Sequence, residues 1–182
     1  MEYFDVIDEN GNKTGDIVER NEAHRHGICH RVIHVWVMNS RNQLLLQKRS
    51  KNKDICPDMW YVSLGGHIES NENNEEAIIR EFSEELGLEV QMENVKYLYT
   101  FHEIATFEDG AVIDNEFYDV YLLRMDLDVD DLILQDDEVQ EVKFIHYSDF
   151  KHAVQNVDPS FWIHDEGFSM LFDCLDKYVV AR

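Results

Sequence analysis

Residues 66–88 read GHIESNENNEEAIIREFSEELGL, and this stretch decides how the rest of the chain is read. Ser70 and Asn71 suit the N-cap of a helix over about 74–86, and acidic residues crowd its first turn, where the helix dipole favours them. Gly87 stands where a left-handed C-cap belongs. At about 100° per residue, Ile78, Ile79, Phe82 and Leu86 fall on one side, and Glu81, Glu84 and Glu85 cluster on another. Three carboxylates that close repel one another. A solvated acidic face tolerates this through screening, whereas a hard divalent cation turns it into a binding site. Mg²⁺ takes oxygen ligands from a few carboxylates and a substrate's phosphates. Arg80, one turn before Glu84, can hold that carboxylate. The preceding Gly65-Gly66 leaves backbone free to approach a ligand, and Glu72 sits in the short connecting loop. Together these features favour a metal-phosphate site over a merely solvated face.

On the N-terminal side, Phe4–Asp8 reads as a short strand ended by the turn residues Glu9–Asn12. Asp16–His30 is polar and reads as helix or loop. The apolar runs His34–Met38 and Leu44–Lys48, joined by Asn39–Asn42, form a hairpin. Lys51–Pro57 is a basic irregular loop, and Trp60–Leu64 an extended segment leading into the glycines. On the C-terminal side, Glu89–Thr100, Glu116–Leu127 and Val142–His146 read as strands and Ser148–Gln155 as a short helix. Gly167–Tyr178 is a longer helix, with Phe168, Leu171, Phe172 and Leu175 at helical spacing. There is no repeat or linker. The expectation is one α/β (α+β) domain over 1–182, a mixed β-sheet between α-helices, with 1–30 an N-terminal extension and 148–182 a C-terminal helical segment.

The 182 residues are 44% apolar with only two prolines, a folded composition with room for a core. The formal charge of -22, from 38 acidic against 16 basic residues, argues against a nucleic-acid polymer as partner. A small phosphorylated substrate stays compatible, because a divalent metal masks carboxylates locally. MEYFDVIDEN lacks the basic and apolar regions of a signal peptide, and no apolar run reaches membrane-spanning length. Cys29, Cys56 and Cys174 are odd in number and widely spaced, which fits a reducing cytoplasm.

Gly66, Glu72, Arg80-Glu81, Glu84-Glu85 and Gly87 stand at the spacing of the Nudix box, and the chain resembles the Nudix hydrolases over about Phe4–Phe150. All seven invariant positions are present; Phe82 departs softly, where an aliphatic residue is usual. The resemblance implies a sheet between helices, with the box as loop-helix-loop. It further implies that Glu81, Glu84 and Glu85, with the Gly65 carbonyl, bind Mg²⁺ or Mn²⁺, and that Glu72 and Arg80 order loop and helix. The metal would activate water for attack on a phosphoanhydride. Glu84 would be the general base, or else Glu138 or Glu141, which otherwise belong to an acidic surface turn.

A narrower resemblance, to the isopentenyl-diphosphate isomerase branch of the superfamily, rests on Ala23-His24, His30-Arg31, the Leu-Leu-Gln-Lys-Arg stretch, Trp60 and Gly66-His67. In that family histidines and acidic residues hold a metal and a cysteine moves the proton. His24, His30 and His67 match approximately, and Asp114 and Glu116 fall on the acidic pair. Gly65 occupies the cysteine's place, and Cys56 lies in the wrong segment. The histidines are therefore read as polar core or surface residues, and Glu116 as an added metal ligand.

Lys48, Arg49, Lys51 and Lys53 form the basic cluster, either a solvated loop or a lip that steers phosphate. Trp60, Tyr61 and Phe101 either stack on a base or pack the core. The resulting reading is a metal-dependent hydrolase of a nucleoside diphosphate or a nucleoside-diphosphate-linked small molecule. Its rivals are an isomerase and a non-catalytic nucleotide sensor. Folds of this kind often pair as homodimers.

Overall fold

The computed structural model describes residues 1–53 and 55–179; position 54 of the basic loop and the last three positions of the C-terminal segment lie outside them. A hairpin of β1 (Tyr3–Ile7) and β2 (Lys13–Glu19) turns at Gly11, whose φ of 82° is left-handed. Helix α1 (Arg20–His26) follows and ends on Gly27. The main sheet runs β5 (Trp60–Tyr61), β4 (Gln43–Arg49), β3 (His30–Met38), β8 (Val112–Arg124), β7 (Val95–Phe107); β6 (Leu64–His67) pairs with β3 and β9 (Val139–His146) with β4.

Strand β3 organises this sheet. It runs parallel to β8, with His30 opposite Glu116, and antiparallel to β6, with His34 opposite Gly65. Its side chains alternate between two buried layers. Val32 and Trp36 face α3 (Tyr147–Gln155) and α4 (Asp165–Val179) through Phe150, Phe168 and Leu171. Ile33, Val35 and Val37 face α2 (Asn74–Leu86) through Ile78, Phe82 and Leu86. Both faces of the sheet are thus covered by helices, the expected mixed sheet between helices. No helix among the described residues is long and apolar enough to cross a membrane.

Local readings shifted in three places. The α2 cap is Asn73, in a capping box with Glu76; Ser70 instead bonds Asp5, and Asn71 has a φ of 69°. The stretch Asp16–His30, read as helix or loop, holds α1 but begins with the end of β2, whose first five residues are exposed, so that strand shows no alternation of polarity. Strand β7 starts only at Val95, after a 3₁₀ turn over Met92–Asn94, and it extends to Phe107. The capping box makes a direct test: Asn73→Ala is expected to cost about 1 kcal/mol and lower the melting temperature by roughly 2–4 °C, read by calorimetry.

Candidate active site

Gly65-Gly66 brings β6 against the middle of α2. A Cβ at Gly66 would run into the Glu81 carboxyl, so only glycine lets the strand and this carboxylate lie side by side. Arg80 gathers the surrounding acids. Its Nε and Nη2 each donate to Glu72 at 2.8 Å, Nη1 donates to Glu81 at 2.7 Å and Glu84 at 3.3 Å, and Nη2 also reaches the His67 carbonyl at 2.9 Å. Glu84 is left half exposed, while Glu85 is buried and its Oε2 has no hydrogen-bond partner among the described residues. Burial pushes the Glu81 carboxyl up to about 7 and that of Glu85 to about 8. An orphaned oxygen beside two further carboxylates fits a divalent cation.

His67, the next residue of β6, enters a second polar centre. His24, His30, His67 and Glu116 each point one ligand-capable atom inward, all within 4.8 Å of one another. The neighbouring strands β6, β3 and β8 supply three of these residues, and α1 lays His24 across them. The Glu116 Oε1 lies 3.1 Å from His30 Nε2, 3.4 Å from His67 Nε2 and 3.7 Å from His24 Nε2. Ligands of a tetrahedral ion at roughly 2.1 Å stand about 3.4 Å apart, which these distances bracket. His24 Nδ1 lies 2.7 Å from the Arg20 carbonyl and His30 Nδ1 2.9 Å from that of Ile28. With Nδ1 donating, a neutral ring turns its Nε2 lone pair inward, as metal-binding imidazoles do. Phe4 stacks on His30 and His67 at 4.6 Å each. Asp114 Oδ1 is a second orphaned, buried oxygen, and burial followed by the Glu116 charge raises this carboxyl to about 6. Burial alone would raise Glu116 too, but the three histidines, donating from Nε2 when no cation takes those nitrogens, prevail and hold it well below the usual range.

Both centres line one cleft of about 780 Å³. Its lining also includes Arg49, whose guanidinium lies 4.7 Å from the Trp162 ring and donates to the Ile55 and Cys56 carbonyls. Lys53 pairs with Glu138 at the rim. Lys48 and Lys51 are not among the described residues lining the cleft. Lys48 instead pairs with Asp58 at 2.7 Å, because successive residues of β4 face opposite ways, and Lys51 is exposed. Glu72 lies behind Arg80, also outside the lining, and Glu141 is exposed on β9. Trp60 and Phe101 are core, Phe101 stacked on Tyr118.

A family model described as the NUDIX domain matches residues 29–163. The chain belongs to the Nudix family. Nudix hydrolase 3 of Arabidopsis thaliana is 35% identical over 96% of this chain, which spans 23% of that longer protein. An isopentenyl-diphosphate Delta-isomerase of Citrobacter koseri is 32% identical over 68% of this chain and 67% of its own. A Deinococcus radiodurans crystal structure shares the fold, with a TM-score of 0.70 and 24% identity over 93% of this chain and 97% of its own.

The Nudix box thus supplies one pole of the cleft, and residues 2–25, ahead of the family match, supply much of the other through Glu2, Arg20, His24 and Arg25. Trp162 and His164 on the C-terminal side escaped the sequence reading, as did the meeting of the three histidines. No periodicity joins positions as distant as 24, 67 and 116; the register of β3 brings 67 to 116, and α1 adds 24.

A pH test follows from the raised carboxyls. Without divalent ions, the stability tied to protonated Glu81 and Glu85 is present near pH 5 and lost as pH rises through about 7 and 8. Glu116, shifted downward, acts below that window. In EDTA the urea midpoint is expected to fall from pH 5 to pH 9, Mg²⁺ to reverse part of the fall, and Glu85→Gln to flatten it. A midpoint independent of pH and Mg²⁺ contradicts this.

Proposed function

We propose that the protein is a metal-dependent hydrolase that cleaves a phosphoanhydride bond in a nucleoside diphosphate or a nucleoside-diphosphate-linked small molecule. The observation carrying this reading is that the Nudix-box carboxylates Glu81, Glu84 and Glu85, with Gly65, share one cleft with the His24/His30/His67/Glu116 centre. The two donor sets sort cations by softness. All-oxygen ligands suit Mg²⁺ or Mn²⁺, and three imidazoles suit a softer transition ion such as Zn²⁺ or Fe²⁺. Ions bound there would neutralise the diphosphate and make a water acidic enough to attack phosphorus.

The chain's own residues supply the rest. Arg80 bridges Glu81 and Glu84 to Glu72 and so fixes their carboxylates at the cleft. Glu84, half exposed, is the best-placed acceptor for the proton of the attacking water. Glu138 is the second candidate, once freed from Lys53. Arg49 and Lys53 offer positive charge to the phosphates, while Lys48, turned to Asp58, contributes little. The histidine centre also favours the isomerase reading, but Gly65 leaves no thiol where that chemistry needs one, and the chain's cysteines lie elsewhere.

Glu84→Gln is expected to lower turnover by roughly 100-fold or more while the protein stays folded. The assay is phosphate or nucleotide release across nucleoside di- and triphosphates, nucleotide sugars and isopentenyl diphosphate, with Mg²⁺, Mn²⁺ or EDTA. Turnover unchanged in that variant sinks the assignment. Interconversion of the five-carbon diphosphates without phosphate release favours the isomerase. Separately, His30→Ala is expected to lose a tightly bound transition metal, read by mass spectrometry of the purified protein, and to retain Mg²⁺ binding.

A further inference from the structure

Strand β7 forms one edge of the main sheet, with β8 as its strand partner among the described residues. It is 13 residues long, and among those residues no backbone–backbone hydrogen bond runs from it to any segment but β8. The N–H and C=O groups on its outer side are therefore open to another strand. Helix α4 lies over one face of β7, with the Tyr99 hydroxyl bonded to the Gly167 carbonyl, and leaves the edge itself unpaired. Proteins blunt such edges with proline, short strands or unmatched charge. This edge has no proline, and it exposes Tyr97 at 52% and Ile104 at 61%.

The side chains along this edge are self-complementary. The ladder with β8 supplies the spacing. Val95 stands opposite Leu123, Lys96 opposite Leu122, Tyr97 opposite Tyr121 and Thr100 opposite Asp119; His102, Glu103 and Ile104 follow opposite Phe117, Glu116 and Asn115. Counted in β8 positions, Tyr97 and His102 lie two places to either side of Thr100, Lys96 and Glu103 three, and Val95 and Ile104 four. The shift in register between Tyr97 and Tyr99, a bulge at Leu98, is what brings the two halves into step. Equal spacing puts both members of each pair on one face. A second copy laid antiparallel about Thr100 thus sets lysine against glutamate, tyrosine against histidine, valine against isoleucine and threonine against itself. Opposite charges, aromatic pairs and threonine pairs are the combinations that stabilise antiparallel strands.

We propose that residues 95–104 of β7 are the docking surface for a second copy of this chain, which pairs antiparallel about a two-fold axis at Thr100 and continues the sheet across both molecules. Charge favours this occupant and this place. At a formal charge of -22, two copies repel over most of their surfaces, whereas residues 95–104 carry one lysine and one glutamate and sum to zero with neutral histidine. The two-fold brings those opposite charges together twice. One Glu103 oxygen bonds His164, and the side chain is 31% exposed, which leaves the other oxygen for the second copy's Lys96. Residues 95–104 are outside the cleft lining, so pairing leaves the cleft open.

The experiment is sedimentation velocity of the full chain over a range of concentrations, with amide hydrogen exchange along 95–104. The wild type is expected to form a dimer with a micromolar Kd, and exchange in this stretch to slow as the dimer fills. Lys96→Glu sets acid against acid twice per dimer and should raise Kd at least about tenfold. Ile104→Lys, at an exposed position of the same edge, should weaken the dimer likewise. Thr100→Cys tests the register, because opposed residues of an antiparallel pair stand about 4.5–5.5 Å apart at Cα, within the span of a disulfide. Mild oxidation should link this variant into a covalent dimer, with the wild type and its Cys29, Cys56 and Cys174 as the blank. A dimer that neither Lys96→Glu nor Ile104→Lys weakens lies on another surface and overturns the proposal. A weakened dimer without the Thr100→Cys link overturns the register. A wild type that stays monomeric at every concentration also overturns it, and leaves the edge to a strand of another protein.

Discussion

The guanidinium of Arg80 is the constraint on which the cleft depends. Glu81, Glu84 and Glu85 sit within little more than one turn of α2, and like charges at such spacing destabilise a helix. One planar, permanently charged group takes up Glu72 with two donors, Glu81 and Glu84 with a third, and a β6 carbonyl besides. It therefore sets the loop, the helix and the strand against one another. A lysine has no comparable fork and could not replace it. Glu85 alone has no share in this arrangement, and it carries the orphaned oxygen.

Around that anchor, β3 acts as a ruler. His30 belongs to the histidine centre, and His34 lies four residues along one face of the same strand, buried beneath Gly65. Gly65 and His67 are placed by their pairing with it, and Glu116 by the parallel pairing on its other side. Glycine at position 66 completes the fit, since any side chain there would displace Glu81.

The parts legible in the sequence were local ones. The bounds of α2, its left-handed Gly87 and the clustering of its carboxylates follow from helix geometry, and the flanking hairpin from its turn residues. What escaped was non-local. Parallel pairing of β3 with β8 leaves no mark at either strand, so the meeting of His30 with Glu116 could not be read. The split of the basic cluster, with Arg49 facing the cleft and Lys48 facing Asp58, needed the orientation of β4. Trp162 reaches the cleft because Ser160–Trp162 hydrogen-bonds alongside Trp60, a contact a hundred positions apart in sequence.

Phe4 lies flat against both His30 and His67, and His24 comes from the helix just after the first hairpin. The chain's first strand is thus a wedge in a centre whose acidic member is not made until position 116. During synthesis the early histidines must wait for Glu116 to emerge. Contacts of such long sequence separation form late, after loop closure has been overcome. A transition ion held by all four ligands would therefore mark molecules whose N-terminal hairpin, central strands and β8 have already come together, so metal loading would report completed folding as well as readiness for chemistry.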